Sequence, residues 1–383
     1  MRVGIVTIQK NRASWIPEWI AFHHLAGIER FYFYAHNCTD ETTEVLQKLA
    51  HFYDIKVFAM NLDQDRVQLH VYKHAYDNFG HECDWFAFID CDEFLFPVAD
   101  PTIGKALERF TYEKVSAIGV YWSCFGSSGH INEPAGLITK NYRYRRSFDA
   151  LPNRHVKSIV RGRQVVEAGP NAHIFNTLYG TVDENFRSIN KGLTDYDPTY
   201  QYLRINHYIC QSVEYFRKIK QRSGAADASL ARVRPDAYWA EHDHNDVFDD
   251  SLEAWYPKLE AEIERIGFSE FAGQIAGGLR WLEPVLSPDA DDPTELLKQI
   301  LNATTYFEKK LEAGEELDKA LVNEYYKVQK AFYKKMKTTT DNENLVLGYG
   351  KMVELIGLVG REFDAEKFKQ VLAMANQYLK AFT

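Results

Sequence analysis

The sequence predicts an α/β fold built around a mostly parallel sheet, followed by a helical extension. Three observations predict it. Over residues 1–90, apolar runs that suit strands alternate with stretches that suit helices, joined by short polar loops. The run Trp85-Phe86-Ala87-Phe88-Ile89 ends in Asp90, Asp92 and Glu93, as a strand buried on both faces and opening onto a ligand crevice would. After the turn-rich Ser287-Pro288-Asp289-Ala290-Asp291-Asp292-Pro293 the pattern becomes amphipathic and helical. The expected division is therefore one domain over 1–288 and a helical segment over 289–383, consistent with roughly 100–200 residues per domain.

The elements follow in order. Residues 3–8 read as a buried strand. Ser14 can cap a helix that runs to Gly27, with Pro17 tolerated in its first turn and Gly27 ending it in the left-handed region. Residues 31–35 form a second strand, and Asp40 can cap a helix over 41–52. A strand over 55–60, a helix over 66–79 and the Trp85–Ile89 strand complete the alternation. Thr102 caps a short helix to Phe110. Strands are expected over 115–122, 137–146, 158–166 and up to Tyr208, and Ser212 caps a helix over 213–222. The small-residue loop 123–130 can approach a ligand closely. Residues 236–250 read as an exposed acidic loop or a second polar rim. Helices over about 294–312, 315–337 and 343–380 close the chain, with no catalytic cluster among them.

Composition narrows the function. The chain carries a net charge of −9 and 45% hydrophobic residues. A general nucleic-acid binder would need a basic footprint, so no nucleic-acid partner is expected. The 5 cysteines are scattered, without a C-x-x-C pair, which suits reduced thiols in a cytoplasmic setting. The chain opens directly on a strand, and no apolar run approaches the ~20 residues of a membrane span. Membrane contact is therefore expected to be peripheral, at the inner face. Neither G-x-G-x-x-G nor a P-loop is present.

The acidic turn carries the chemistry. Hard carboxylate oxygens in an Asp-X-Asp suit a divalent cation that leaves positions open for substrate phosphate. The bland alternative is a solvated turn. The basic stretch Arg143, Arg145, Arg146, Arg154, Lys157, Arg161 and Arg163 reads either as a solvated sheet face or as phosphate neutralisation beside the metal.

These residues resemble a family. The order is Gln9-Lys10-Asn11, Glu18-Trp19, Asn37-Cys38-Thr39-Asp40, Gln68, then Phe88-Ile89-Asp90-Cys91-Asp92-Glu93-Phe94. Trp122, Phe125-Gly126, Lys157, Asn206-His207-Tyr208 and Ser212 with Glu214-Tyr215-Phe216 and Lys218 follow. This is similar to glycosyltransferase family 92 and family-2-like glycosyltransferases over about residues 1–250. The resemblance implies a GT-A type nucleotide-diphospho-sugar transferase fold, a Rossmann-like mixed sheet flanked by helices. It implies a UDP-sugar donor, Mn²⁺ or Mg²⁺, inverting transfer of a hexose such as galactose, and a glycan or polysaccharide acceptor. By that resemblance Asp90, Asp92 and His207 hold the metal. Thr7, Lys10, Asn11, Asn37, Asp40, Gln68 and Asp90 line the nucleotide site. The family's Lys before the Ser of the Asn-His-Tyr block is Gln211 here, so Lys157, Arg161 or Lys218 would take the diphosphate.

An inverting displacement also needs a general base. Asp243 and Asp246 are the preferred candidates and Glu133 the third. Two rivals stay open: a metal-dependent phosphodiesterase or nucleotidyltransferase, and a non-catalytic nucleotide- or sugar-binding protein whose helical tail works in partner binding or oligomerisation.

Overall fold

The computed structural model describes residues 1–62, 65–111, 114–167, 169–221, 234–268, 288, 293–312, 317, 319–339, 343–362 and 365–379. The chain divides into two compact units, Met1–Arg280 and Trp281–Thr383. The boundary expected at 288/289 falls where residues 289–292 lie outside the described set.

The first unit runs β1 (Val3–Gln9), α1 (Ile16–Leu25), β2 (Arg30–His36), α2 (Thr42–Leu49), β3 (Ile55–Met60), α3 (Val67–Phe79), β4 (Trp85–Phe88), β5 (Glu93–Pro97) and α4 (Ile103–Leu107). It continues with β6 (Ala117–Cys124), α5 (Ile138–Asn141), β7 (Tyr144–Arg145), β8 (Val156–Arg161), β9 (Val165–Glu167), β10 (Asn176–Thr177), β11 (Thr181–Val182), β12 (Ser188–Ile189) and β13 (Leu203–His207). α6 (Val213–Tyr215), α7 (Asp236–His242), β14 (Val247–Phe248) and α8 (Tyr256–Arg265) complete it.

The main sheet has the order β12-β11-β6-β8-β4-β1-β2-β3. β3, β2, β1 and β4 are parallel, as the short strand–helix repeats require. β8 then enters antiparallel to both β4 and β6. The sheet is thus mixed, with helices packed on it, which is the architecture the family resemblance implies. β13 lies antiparallel to β5 and parallel to β6. That register sets Glu93 opposite His207 and brings the end of the acidic turn beside the Asn206-His207-Tyr208 strand end.

α1 is buried on nearly every side, and two of its side chains hold β5 in place. Trp19 Nε1 donates to the Glu93 carbonyl at 2.8 Å, and the Leu95 N–H donates to His23 Nε2 at 3.0 Å. Burial pushes His23 down to about 3, so the ring stays neutral and accepts at Nε2. Ser14 does not cap the helix; the first turn closes instead on the Arg12 carbonyl, which accepts from Trp15 and Ile16 N–H at 2.9 and 3.1 Å. Gly27 ends the helix at φ +96°, where a Cβ would also meet Thr102 at 2.7 Å. Thr102 acts as expected, its Oγ1 accepting from Lys105 N, whereas Glu41 takes the cap position of α2 and Asp40, one residue earlier, accepts from Thr42 N in the turn that leads into it.

Two expected strands break up. Residues 137–146 form the short helix α5 and the two-residue β7. The buried carboxylate of Glu18 accepts from Ile138 N, Thr139 N and Thr139 Oγ1 at 2.6, 3.0 and 2.8 Å, which fixes a helical turn there. Residues 158–166 split into β8 and β9 at Arg163, whose φ of 64° leaves the extended region. Residues 236–250 are not only a loop, since they contain α7 and β14.

In the second unit, the helices α9 (Pro293–Glu312), α10 (Lys319–Thr339), α11 (Glu343–Glu362) and α12 (Ala365–Leu379) bury their own core around Tyr325, Phe307, Phe332, Tyr349 and Leu372. Tyr325 is the polar hinge of that core, bonded to Thr304 and Gln329. Among the described residues no helix is long and apolar enough to cross a membrane.

Candidate functional site

The acidic turn lies between β4 and β5, at the carboxyl ends of the parallel strands. Each of its carboxyls has a different environment. Asp90 Oδ1 accepts from Gln68 Nε2 at 2.7 Å and Oδ2 from Lys157 Nζ at 2.8 Å. Gln68 comes from the first turns of α3 and also donates to Tyr72. Lys157 comes from β8 and is 2% exposed, so its charge is committed to the turn. Burial opposes that charge, but Asp90 and Glu93 hold the ammonium well above its ordinary range.

Glu93 is fully buried. Its Oε2 accepts the Asp90 N–H at 2.8 Å and lies 3.7 Å from Lys157, while Oε1 has no partner among the described residues. Burial pushes its carboxyl well above the usual range, toward the neutral form.

Asp92 behaves in the opposite way. Burial would raise it, but Lys220 and Arg12 outweigh burial and hold it well below the usual range. Lys220 Nζ donates to Asp92 Oδ2 at 2.7 Å and also to the Ile209 carbonyl. The Asp92 carbonyl accepts the Tyr208 N–H at 2.8 Å, which locks the turn to the end of β13. Asp92 Oδ1 then faces His207 Nε2 at 3.7 Å. Burial lowers His207, which favours the neutral ring; it packs on Trp122 at 4.2 Å, and its Nδ1 is enclosed with no partner among the described residues.

Lys220 is the residue that sequence reasoning missed. Lys218 pairs with Glu214 at 2.7 Å on the exposed side, four residues along the helix. Lys220, two residues further and inside a π-helical turn over Phe216–Lys220, falls on the inner side. The signal was the basic run Arg217-Lys218-Ile219-Lys220, but its phase depended on that wide turn.

The loops after β1 and β2 are clipped together. Asn11 adopts φ 54°, accepts from Thr39 N at 2.7 Å and donates to Thr39 Oγ1 at 3.1 Å. Asn37 adopts φ 47° and pairs with the Leu62 backbone. Asp40 accepts from Ala13 N and Thr42 N, both at 3.1 Å. Thr7 is buried and accepts from Gln9 Nε2 at 2.6 Å. Lys10 is exposed on the same loop. Arg161 pairs with Trp85 across the β4–β8 register, at the opposite end of β4 from Asp90.

The three carboxylates considered as bases differ in freedom. Glu133 is buried, with Oε2 accepting from Tyr142 OH at 2.9 Å and Ser212 Oγ at 2.5 Å. Asp243 holds the small-residue loop, accepting from Ser127 N at 2.6 Å and Ser127 Oγ at 3.1 Å. There Gly126 packs so closely that a Cβ would meet Asn245 and the His244 carbonyl at 2.5 Å. Asp246 is exposed; among the described residues its carboxylate has a 3.4 Å contact from Ser147 N and His244 at 3.9 Å.

Among the described residues no group of three or more His, Cys, Asp and Glu side chains gathers as a metal cage. The pair Asp92 and His207 nevertheless fits a divalent ion. Their 3.7 Å separation is too long for a hydrogen bond, and it lies within the span of two ligands each ~2.1 Å from one ion. An ion held by one or two side chains and completed by substrate phosphate is the usual Mg²⁺ arrangement. Both Asp90 oxygens are already engaged by Gln68 and Lys157.

Residues 3–225 match the family Glycosyltransferase family 92. A family 92 protein of Oryza sativa subsp. japonica is 27% identical over 216 residues, covering 56% of this chain and 34% of the relative. One of Ricinus communis is 28% identical over 229 residues, covering 56% and 36%. The chain thus spans about a third of the length of these relatives. Crystal structures of S. aureus TarS 1–349, alone and with UDP-GlcNAc, align at TM-score 0.33 and 14% identity over 98% of this chain and 92% of theirs.

Proposed function

The chain belongs to glycosyltransferase family 92, and from that membership we propose that it transfers a hexose from a UDP-sugar to a glycan acceptor with the aid of Mn²⁺ or Mg²⁺. The observation that carries this reading is the Asp92–His207 pair, two unbonded donors facing each other at 3.7 Å at the carboxyl edge of the parallel strands. A divalent ion between them would offset the negative charge that develops on the departing diphosphate.

The chain's own residues do the remaining work. Lys220 keeps Asp92 ionised and turns Oδ2 away, which leaves Oδ1 toward His207. Gln68 and Lys157 fix Asp90, the residue proposed to meet the donor ribose. The clipped loops bearing Asn11, Asn37 and Asp40 frame the nucleotide, with Thr7 beneath them. For the base we favour Asp246, because its carboxylate stays exposed and loosely held, whereas Asp243 and Glu133 spend theirs on Ser127, Tyr142 and Ser212.

Thermal unfolding with UDP, Mn²⁺ and both together tests the reading. A ligand that binds only the folded state at a hundredfold excess over Kd adds ~2.7 kcal/mol of stability. The expected result is a shift that needs UDP and Mn²⁺ together and disappears in Asp92→Asn. A chain indifferent to every nucleoside diphosphate would instead be a non-catalytic member. Asp246→Asn is expected to lower kcat by about 10²-fold with UDP affinity unchanged; full activity would remove Asp246 from the mechanism.

A further inference from the structure

The cations around the acidic turn are not all paired with its carboxylates. Asp90 is matched by Lys157 and Asp92 by Lys220, each at ammonium–carboxylate contact distance. Glu93 is fully buried and shares Lys157, 3.7 Å away. Arg12 is left over. It follows the left-handed Asn11 in the loop after β1, and its charge is felt at Asp92 and Asp40. Yet among the described residues no carboxylate lies within ion-pairing distance of it. Both oxygens of Asp40 are occupied by backbone N–H groups.

The guanidinium is nevertheless held firmly. It lies over the rings of Trp15 and Tyr215, 5.1 and 5.3 Å from their centroids. Nη1 donates to Tyr215 OH. Nε is enclosed, with no partner among the described residues. Tyr215 stands on α6, three residues after the capping Ser212 and five before Lys220, so the same short helix places both cations. Trp15 packs edge-on against Tyr215 at 4.5 Å, which fixes the plane of the clamp. A half-buried guanidinium with one hydrogen bond and no anion is costly unless an anion arrives. A planar fork held against two packed rings is preorganised for paired phosphate oxygens.

We propose that Arg12, clamped by Trp15 and Tyr215 beside Asp92, is a ligand for the diphosphate of the nucleotide-sugar donor. This rests on the donor reading above. Arg12 thereby supplies the site with a permanent cation independent of any divalent ion, so part of the diphosphate affinity survives chelation.

Calorimetric titration of the full chain with uridine, UMP and UDP, each with Mn²⁺ and with EDTA, tests it. Wild type is expected to bind UDP measurably in EDTA. Arg12→Gln is expected to weaken UDP at least about tenfold under both conditions, the size of a lost charge-assisted contact, with uridine affinity unchanged. Arg12→Lys should recover part of the loss. Tyr215→Phe, which keeps the charge and frees the clamp, should weaken UDP by a smaller factor, and it serves if Arg12→Gln does not fold. Equal UDP affinity in wild type and Arg12→Gln overturns the proposal, as does a parallel loss of uridine binding. A wild type that binds none of the three nucleotides, with or without Mn²⁺, overturns the donor reading itself.

Discussion

Two buried ionic clusters in the first unit each hold a cation without a carboxylate of its own and treat it differently. Behind β13, Asp249 sits between Arg145 and Arg204, at 2.6 and 2.7 Å, so two guanidiniums share one carboxylate. The surplus is absorbed by the protein. Arg204 also donates to Ser123 and lies near the rings of Phe96, Phe125, Phe148 and Tyr200. Arg145 donates to the Arg146 carbonyl and stacks over Phe148 at 3.5 Å. The other Asp249 oxygen accepts from Ser251 N and Oγ. At the acidic turn the surplus cation, Arg12, has one protein hydrogen bond, and Asp92 and His207 face each other unbonded. Counting charges does not separate a structural lock from a ligand site. Counting what each charge is bonded to does.

The largest expected effect breaks the lock. Asp249→Asn leaves two guanidiniums without their anion in a dry site and should destabilise the chain by about 3–5 kcal/mol in urea unfolding; a loss below ~1 kcal/mol would mean water reaches the cluster. Arg145 and Arg204 hold Asp249 down to about 2 against burial. A depressed carboxyl contributes stability above its unfolded pKa and loses it as pH falls through the folded one. The lock should therefore weaken only in acid, from about pH 4 toward 2.

Glu18 supplies the opposite case, a buried carboxyl with three donors and no cation. Burial outweighs those bonds and raises it to about 7. The folded state then holds a proton that the unfolded chain has lost, so this group's contribution declines as pH rises from about 4.5 to 7. The decline amounts to about 3 kcal/mol at 1.36 kcal/mol per unit. Glu18→Gln should flatten the stability profile over that window, and an unchanged slope would assign it to another group.

These differences also explain what could be read from the chain. The β1–β4 alternation was legible because each strand and helix is set by neighbours within a few residues. The acidic turn was legible because an apolar strand running into carboxylates is a local pattern. Asp92 and His207 could be named only as separate motifs; their 3.7 Å approach depends on the β5–β13 register, more than 100 residues apart in sequence. Arg12 looked like any loop arginine, since Tyr215 lies 203 residues away. Residues 137–146 looked like a strand because their apolar spacing gives no sign that Glu18 will cap them into a turn.

The smaller effects sharpen the contrast inside the acidic turn. Lys157→Met removes the cation from Asp90. Asp90 is 34% exposed, so water can take the ammonium's place and the stability loss should stay near ~1–3 kcal/mol, below that of Asp249→Asn. UDP affinity should fall more than tenfold, since Asp90 would no longer be fixed. A stability loss as large as that of Asp249→Asn would make the turn a second lock.

Glu93→Gln should do least. Its carboxyl is fully buried, which pushes it toward the neutral form, and an amide matches that form closely in shape and charge. It can still accept the Asp90 N–H, so the turn keeps its geometry. Urea unfolding at pH 7 should change by less than ~1 kcal/mol, and nucleotide binding should persist. If Glu93 were instead the ionised partner of Lys157, the amide would leave that buried ammonium with Asp90 alone, and the cost would approach the ~3 kcal/mol of a broken buried pair. The measured difference therefore reports the protonation state of Glu93 directly, and with it whether the turn offers a donor nucleotide two negative charges or three.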